Sequence, residues 1–397
     1  MGSLPACGNC HYIQFMTTHR AVVDALATAS ARGNGVVLAT VVRVTGSSYG
    51  GVGARMVVHV DGSTVGVVSG GCLETDLAEH ARNVVEEGCA RVVTYDTRAD
   101  DDAAWGLGLG CNGLIDVLLE PLNDAEAGRI ADLLLGALRS DSPSVLATVI
   151  EAPYGTTPEV GAHALFNGDT IETTGNWGNR TMIQVIRARL EDAVQGGRKG
   201  LVLEHDDVGI AFEVISPAVR LVVCGSGPDA VPVVRFATEL GWDVTVVDHR
   251  PVVHAPVERF TGAVVAECGE ARRLAEFVAL TSRTAAVVMS HHYARDLEYV
   301  QALLEAGVGY IGILGPRART ERMFAEMESG SDRARGSGDS VHGPIGLDVG
   351  GDGPDAIALS IISEVSAVMN DRSGGHLRDR NAPLHEEKRE RRHASSA

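Results

Sequence analysis

Hydrophobic and polar positions fall into blocks whose spacing changes along the chain. Residues 18–31 carry apolar side chains at helical spacing and end at Gly33-Asn34-Gly35, a C-terminal stop signal. Residues 35–44, GVVLATVVRV, form a β-branched apolar run of strand length, which predicts a buried strand. Gly46-Ser47-Ser48-Tyr49-Gly50-Gly51 breaks that run. Residues 55–60 and 64–68 read as strands joined through Asp61-Gly62, a strong hairpin signal. Ser69-Gly70-Gly71-Cys72 then leads into a helix over 73–87 that Gly88 stops, and strands are predicted at 91–95 and 114–119. Further strands are expected at 145–151, 201–204 and 210–215, with a helix at about 181–194.

Beyond Pro217 the pattern becomes regular. Apolar runs at 219–224, 244–248, 263–266, 285–290 and 308–314 alternate with helical segments, the signature of a doubly wound parallel sheet. The expected organisation is therefore α/β, in four parts. A flexible N-terminus (1–17) precedes an N-terminal mixed α/β domain (18–216), then the parallel-sheet domain (217–370) and a disordered tail (371–397). Residues 329–340 read as a surface loop, and no internal repeat is evident.

Composition narrows the function classes. A length of 397 residues fits two domains, and a formal charge of −18 argues against sequence-independent nucleic-acid binding. No apolar run is long enough for a membrane span, and residues 1–20 lack the apolar core of a secretory signal. Seven cysteines in so long a chain are too few for a disulfide scaffold, so a cytoplasmic location is expected. A homodimer is expected only on the general frequency of two-fold association.

Two glycine-embedded cysteines are the first chemical feature. Ser69, Gly70, Gly71 and Cys72 lie between a strand and a helix, where bare backbone N–H groups can bind an anion and favour a thiolate. A tight turn that merely packs a small Cys is the competing reading. In Trp105–Gly113, glycines 106, 108 and 110 keep one side of the segment bare around Cys111, so a flat ligand can approach; a barrel corner or bulge is the alternative. Gly110, Cys111 and Gly113 are thus candidate cofactor contacts, and Cys72 with Cys111 could together meet one soft metal.

The second feature follows the strand at 219–224. Gly225-Ser226-Gly227-Pro228-Asp229-Ala230 has the G-x-G-x-x-A form, opens a helix and is followed by Asp248 at the end of the next strand. That order predicts a Rossmann-like fold, with Gly225 and Gly227 admitting a pyrophosphate and Asp248 accepting from a ribose. Arg250 could instead meet a phosphate, so NAD(P) and the nucleotide end of a larger cofactor both stay open. Ser290-His291-His292, Gly312–Arg317 and Gly343–Asp348 fall at later strand ends, making His291 and Arg317 candidate ligand contacts. Cys7-Gly8-Asn9-Cys10-His11 has the form of a haem attachment site, but without an export signal it is read as a terminal segment.

Taken together, Gly46-Ser47-Ser48, Gly53-Ala54-Arg55-Met56, Gly66–Glu74, Trp105–Gly113 and the C-terminal half resemble the XdhC/CoxI family from about residue 20 to 369. Tyr49-Gly50 and Asn112 depart from the family's usual Pro-Arg and Gly at those positions. The resemblance implies a protein that binds molybdenum cofactor, as molybdopterin or its dinucleotide. It also implies help with cofactor sulfuration beside a cysteine desulfurase, and insertion into a xanthine dehydrogenase or related molybdenum hydroxylase. It implies an accessory chaperone more than an autonomous catalyst, with Cys72 and Cys111 as the cofactor-contacting cysteines. An NAD(P)-dependent oxidoreductase is the alternative, resting on the G-x-G-x-x-A segment alone.

Overall fold

The computed structural model describes residues 19–46, 49–96, 113–153, 155–178, 183–184, 186–187, 201–205, 207–250, 257–328 and 340–379. Gly110, Cys111, Cys7 and Cys10, most of the helix expected at 181–194, and most of the surface loop expected at 329–340 lie outside them. The chain divides into two compact units, one running to Ser216 and one starting at Pro217.

The first unit contains α1 (His19–Arg32), β1 (Val36–Gly46), β2 (Arg55–His59), β3 (Thr64–Gly66), α2 (Glu74–Glu87), β4 (Arg91–Asp96), β5 (Gly113–Leu122) and α3 (Asp124–Arg139). It continues with β6 (Ser144–Glu151), β7 (His163–Phe166), β8 (Ile171–Thr174), β9 (Leu201–His205) and β10 (Val208–Ile215). These strands form two antiparallel sheets, β3-β2-β1-β5-β4 and β8-β7-β6-β10-β9. β1 is buried at every position from Val36 to Val42, because both faces of its sheet are covered. Val36 and Leu38 face Leu26 of α1 and Ile130 and Leu134 of α3, while Val37, Ala39 and Val41 face Leu77 and Val84 of α2. Full coverage explains an unbroken apolar run where a half-exposed strand would alternate.

Polar contacts also fasten the first sheet to the second. Arg55 on β2 forms a bidentate pair with Glu213 on β10, Nη1 to Oε1 at 3.0 Å and Nη2 to Oε2, with Arg55 3% exposed. Glu120 on β5 meets His163 Nε2 on β7 at 2.8 Å, and the other ring nitrogen meets Thr148 Oγ1 on β6 at 3.0 Å. All three of these side chains are buried.

The second unit carries β11 (Arg220–Cys224), α4 (Ala230–Glu239), β12 (Asp243–Asp248), β13 (Val264–Glu267), α5 (Leu274–Phe277) and β14 (Thr284–Val288). Then come α6 (Tyr293–Glu305), β15 (Tyr310–Ile313), α7 (Arg317–Glu328), β16 (Val341–His342) and α8 (Pro354–Met369). The sheet order is β13-β12-β11-β14-β15-β16, and every neighbouring pair is parallel. Leu221, Val223, Ala285 and Val287 pack under α4 and α8, while Val222, Cys224, Ala286 and Val288 pack against α6 and α7. The expected doubly wound parallel sheet is therefore present, with helices on both faces. After β13 the chain crosses back past β11 to β14, which opens a crevice at the carboxyl ends of β11 and β14.

Candidate functional site

In the first unit, Gly70 and Gly71 have φ of +78° and +109°, and a side chain at 70 would press on the Tyr49 ring about 3.0 Å away. This turn delivers its donors to one acceptor, the carboxylate of Glu74 in the first turn of α2. Oε1 accepts from the N–H groups of Val68 at 3.1 Å and Ser69 at 2.8 Å. Oε2 accepts from Ser69 Oγ at 2.6 Å and from the N–H groups of Gly71 at 2.9 Å and Leu73 at 3.1 Å. Burial works to raise the Glu74 pKa, but the Ser69 hydroxyl and the backbone donors outweigh it and hold the group below its ordinary value. The anion that meets the Ser69–Gly71 backbone is thus the chain's own carboxylate. Cys72 stands exposed beside this fixed loop with a free thiol. Gly113 is buried at the start of β5, paired with Gly46. Below the loop, Tyr95 donates to Asp76 at 2.5 Å, and His80 lies 3.4 Å from the same carboxylate.

The crevice of the second unit is built from four strand ends. Gly225 has φ of +126°, and a Cβ there would lie 2.6 Å from the Met289 carbonyl oxygen, so only glycine lets the β11–α4 turn lie against β14. Asp248, 2% exposed, accepts from Ser226 N at 2.9 Å, from Ser226 Oγ, and from Arg250 N, Nε and Nη2 at 2.9, 3.0 and 2.9 Å. Burial raises its pKa, yet the Arg250 guanidinium and the Ser226 hydroxyl hold the carboxyl far below the usual range. Beside it, burial lowers the His249 pKa against the opposing charge of Asp248.

His291, with φ of +60°, reaches over to Asp229 with Nε2 to Oδ2 at 2.7 Å, above Gly227. Deeper in the crevice, Asp296 accepts from Ser290 N at 3.2 Å, Ser290 Oγ at 2.5 Å and Arg319 Nη2 at 2.5 Å. The structure therefore gathers Gly225, Gly227, Asp248 and His291 at one place. Arg317 begins α7, pairs with Glu321 at 3.4 Å, and borders an open depression of about 400 Å³ with Thr320, Phe324 and Val341. Among the described residues, no group of three or more His, Cys, Asp or Glu side chains is placed to hold a metal ion.

Sequence reading missed Glu74 and Ser226 as organising groups. An acid in the first turn of a helix was the available signal for Glu74, since negative charge is favoured there. For Ser226 there was none, because its partner lies 22 residues away.

Comparison with known proteins places these loops in a family. A model of the XdhC Rossmann domain matches residues 221–365, and a model of the XdhC and CoxI family matches residues 29–96. A Bacillus subtilis protein, named as one of the probable subunits of xanthine dehydrogenase, is 32% identical over 336 residues, covering 83% of this chain and 92% of its own. The chain belongs to the XdhC and CoxI family. The molybdenum cofactor insertion chaperone PaoD of Escherichia coli is 26% identical over 352 residues, which is 88% of each chain. A crystal structure of a xanthine dehydrogenase from Bacillus halodurans shares 30% identity with a TM-score of 0.70, covering 89% of this chain and 97% of that one. The XdhC and CoxI match ends just before the segment that holds Cys111, and within it lies the whole Ser69–Glu74 loop. Among the described residues, no helix is long and apolar enough to cross a membrane.

Proposed function

We propose that this XdhC and CoxI family member carries molybdenum cofactor as cargo and inserts it into a molybdenum hydroxylase of the xanthine dehydrogenase type. The observation that carries the reading is the exposed Cys72 thiol, held on a loop that Glu74 fixes, inside the segment matching the family model. A thiolate is the side chain suited to a soft molybdenum–sulfur centre. With the N–H groups of Val68, Ser69, Gly71 and Leu73 taken by Glu74, the Cys72 thiol is the side chain the loop offers to the cargo. Cys111 is proposed as the second contact, and a cysteine desulfurase as the source of the sulfur that the cargo receives before insertion. The relatives' names support both client and cargo, since one is a cofactor insertion chaperone and another belongs by name to xanthine dehydrogenase. Assembly as a homodimer in the cytoplasm completes the proposal.

The test is metal and pterin analysis of protein purified from a host that makes the cofactor. Molybdenum and pterin are expected to co-purify, and Cys72→Ala and Cys111→Ala each to lower their amount. Undiminished loading in both variants would sink the site assignment, and absence of cofactor from the parent protein would sink the cargo reading. Sedimentation of the same sample reports the oligomeric state.

A further inference from the structure

We infer that Arg250 in the crevice of the second unit forms a subsite for a phosphomonoester, and that Asp248 serves it as an aiming group without touching ligand. A carboxylate offers about four lone-pair sites. Asp248 receives five donors, two from Ser226 and three from Arg250, and is almost wholly buried, so nothing is left for the hydroxyls of a ribose. The guanidinium edge that faces Asp248 is consumed in this pairing. The Arg250 side chain as a whole is nonetheless 46% exposed at the mouth of the crevice. Nη1 carries no protein acceptor among the described residues, so two N–H donors of a fixed cation point away from the pair.

The neighbouring loop adds to this. The backbone N–H groups of Gly227 and Asp229 have no acceptor among the described residues, while the Asp229 carboxylate is engaged by His291 Nε2 at 2.7 Å. Glu267, in register with Asp248 on β13, is exposed to solvent, where its repulsion of an anion is screened. A neutral diol gains little from such a site, whereas a dianionic phosphate gains a charge-assisted pair with Arg250. Two sources share that chemistry, a phosphorylated ribose and the phosphomonoester side chain of a pterin.

The experiment is calorimetric titration of the full-length protein with matched compounds that differ only in the phosphate. Adenosine 2′,5′-bisphosphate is compared with 5′-AMP, NADP⁺ with NAD⁺, and a 6-(hydroxymethyl)pterin phosphomonoester with its free alcohol. In at least one series the phosphorylated member is expected to bind about tenfold more tightly or better, as a charge-assisted pair implies. Arg250→Gln is expected to erase that preference while leaving the other member's affinity unchanged, and Arg250→Lys to restore part of it. Asp248→Asn, which keeps the cation and removes its aim, is expected to give an intermediate loss. Preference in the nucleotide series identifies the ribose source, and preference in the pterin series the other. Equal binding within every pair, no binding at millimolar concentration, or a preference that survives Arg250→Gln would each overturn the inference. Failure here and failure of the cargo reading are told apart, because the nucleotide series contains no pterin or molybdenum and co-purification of molybdenum and pterin is measured separately.

Discussion

Replacing Glu74 by Gln tests how the candidate loop is held. The substitution turns one carboxylate oxygen into an NH₂ group. Oε1 takes two donors and Oε2 takes three, so whichever oxygen is lost, at least two donors face a donor. A hydrogen bond to a charged group contributes about 1.5–3 kcal/mol, and the partial exposure of Glu74 argues for the low end, giving about 2–3 kcal/mol for the loop. If the loop opens locally, that corresponds to about 30- to 150-fold faster amide exchange. Hydrogen exchange with mass spectrometry, on a peptide spanning Val68 to Leu73, reads it directly. The pH dependence supplies a second arm. The folded pKa of Glu74 lies below its ordinary 4.5, so its stabilisation is complete above that value and disappears as pH falls through the folded pKa. Protection in the parent, corrected for intrinsic rates, should therefore decline below about pH 4.5, whereas the Gln variant should show no such decline. Protection within twofold of the parent at pH 7 would refute the reasoning.

Three further outcomes follow from the geometry. Glu213→Ala leaves Arg55 buried without its partner and should cost about 3–5 kcal/mol in urea unfolding, with most of it recovered in an Arg55→Met, Glu213→Leu double variant; a loss under 1 kcal/mol would count against the latch. Gly225→Ala combines a left-handed backbone with a Cβ 2.6 Å from Met289 O, so thermal unfolding of the second unit should fall by about 2–4 kcal/mol in stability. Asp248 has a depressed pKa, so its contribution is complete above its unfolded value near 3.8 and fades only in stronger acid. The stability difference between parent and Asp248→Asn should accordingly stay constant from pH 7 to about pH 4.5 and shrink below pH 4; a difference that vanishes by pH 5.5 would contradict the assignment.

The parallel sheet was legible because its strands are covered on both faces and read as unbroken apolar runs, each followed by a helical pattern. The β2–β3 hairpin was legible from Asp61-Gly62. α3 escaped the reading although Asn123 and Glu126 form a capping box at its start. Glycines 128 and 136 lower its helix propensity, by about 1 kcal/mol each, and tertiary packing overrides them. Gly128 lies against Ser30 of α1, where a side chain would collide. The four-residue strands β7 and β8 are too short for periodicity to register. At the site, the loops themselves could be read from glycine spacing. What fills them could not, since glycine spacing does not specify that Glu74 turns back on the donors just before it, and Asp248 meets Ser226 only after the chain has folded back on itself. The expectations for Cys111 and Gly110 lie outside the described residues.

The order of strands in the first sheet sets where this protein can be cut. β5 lies between β1 and β4 and pairs with both, yet it begins at Gly113, beyond the stretch 29–96 that carries the XdhC and CoxI match. A fragment trimmed to that stretch would keep Cys72 and its loop but lack the strand to which β4 is bound, and it would strand Arg55 without Glu213. The smallest piece that preserves the loop for biochemistry therefore runs from α1 through β10, and shorter expression fragments are expected to aggregate along the two bared strand edges.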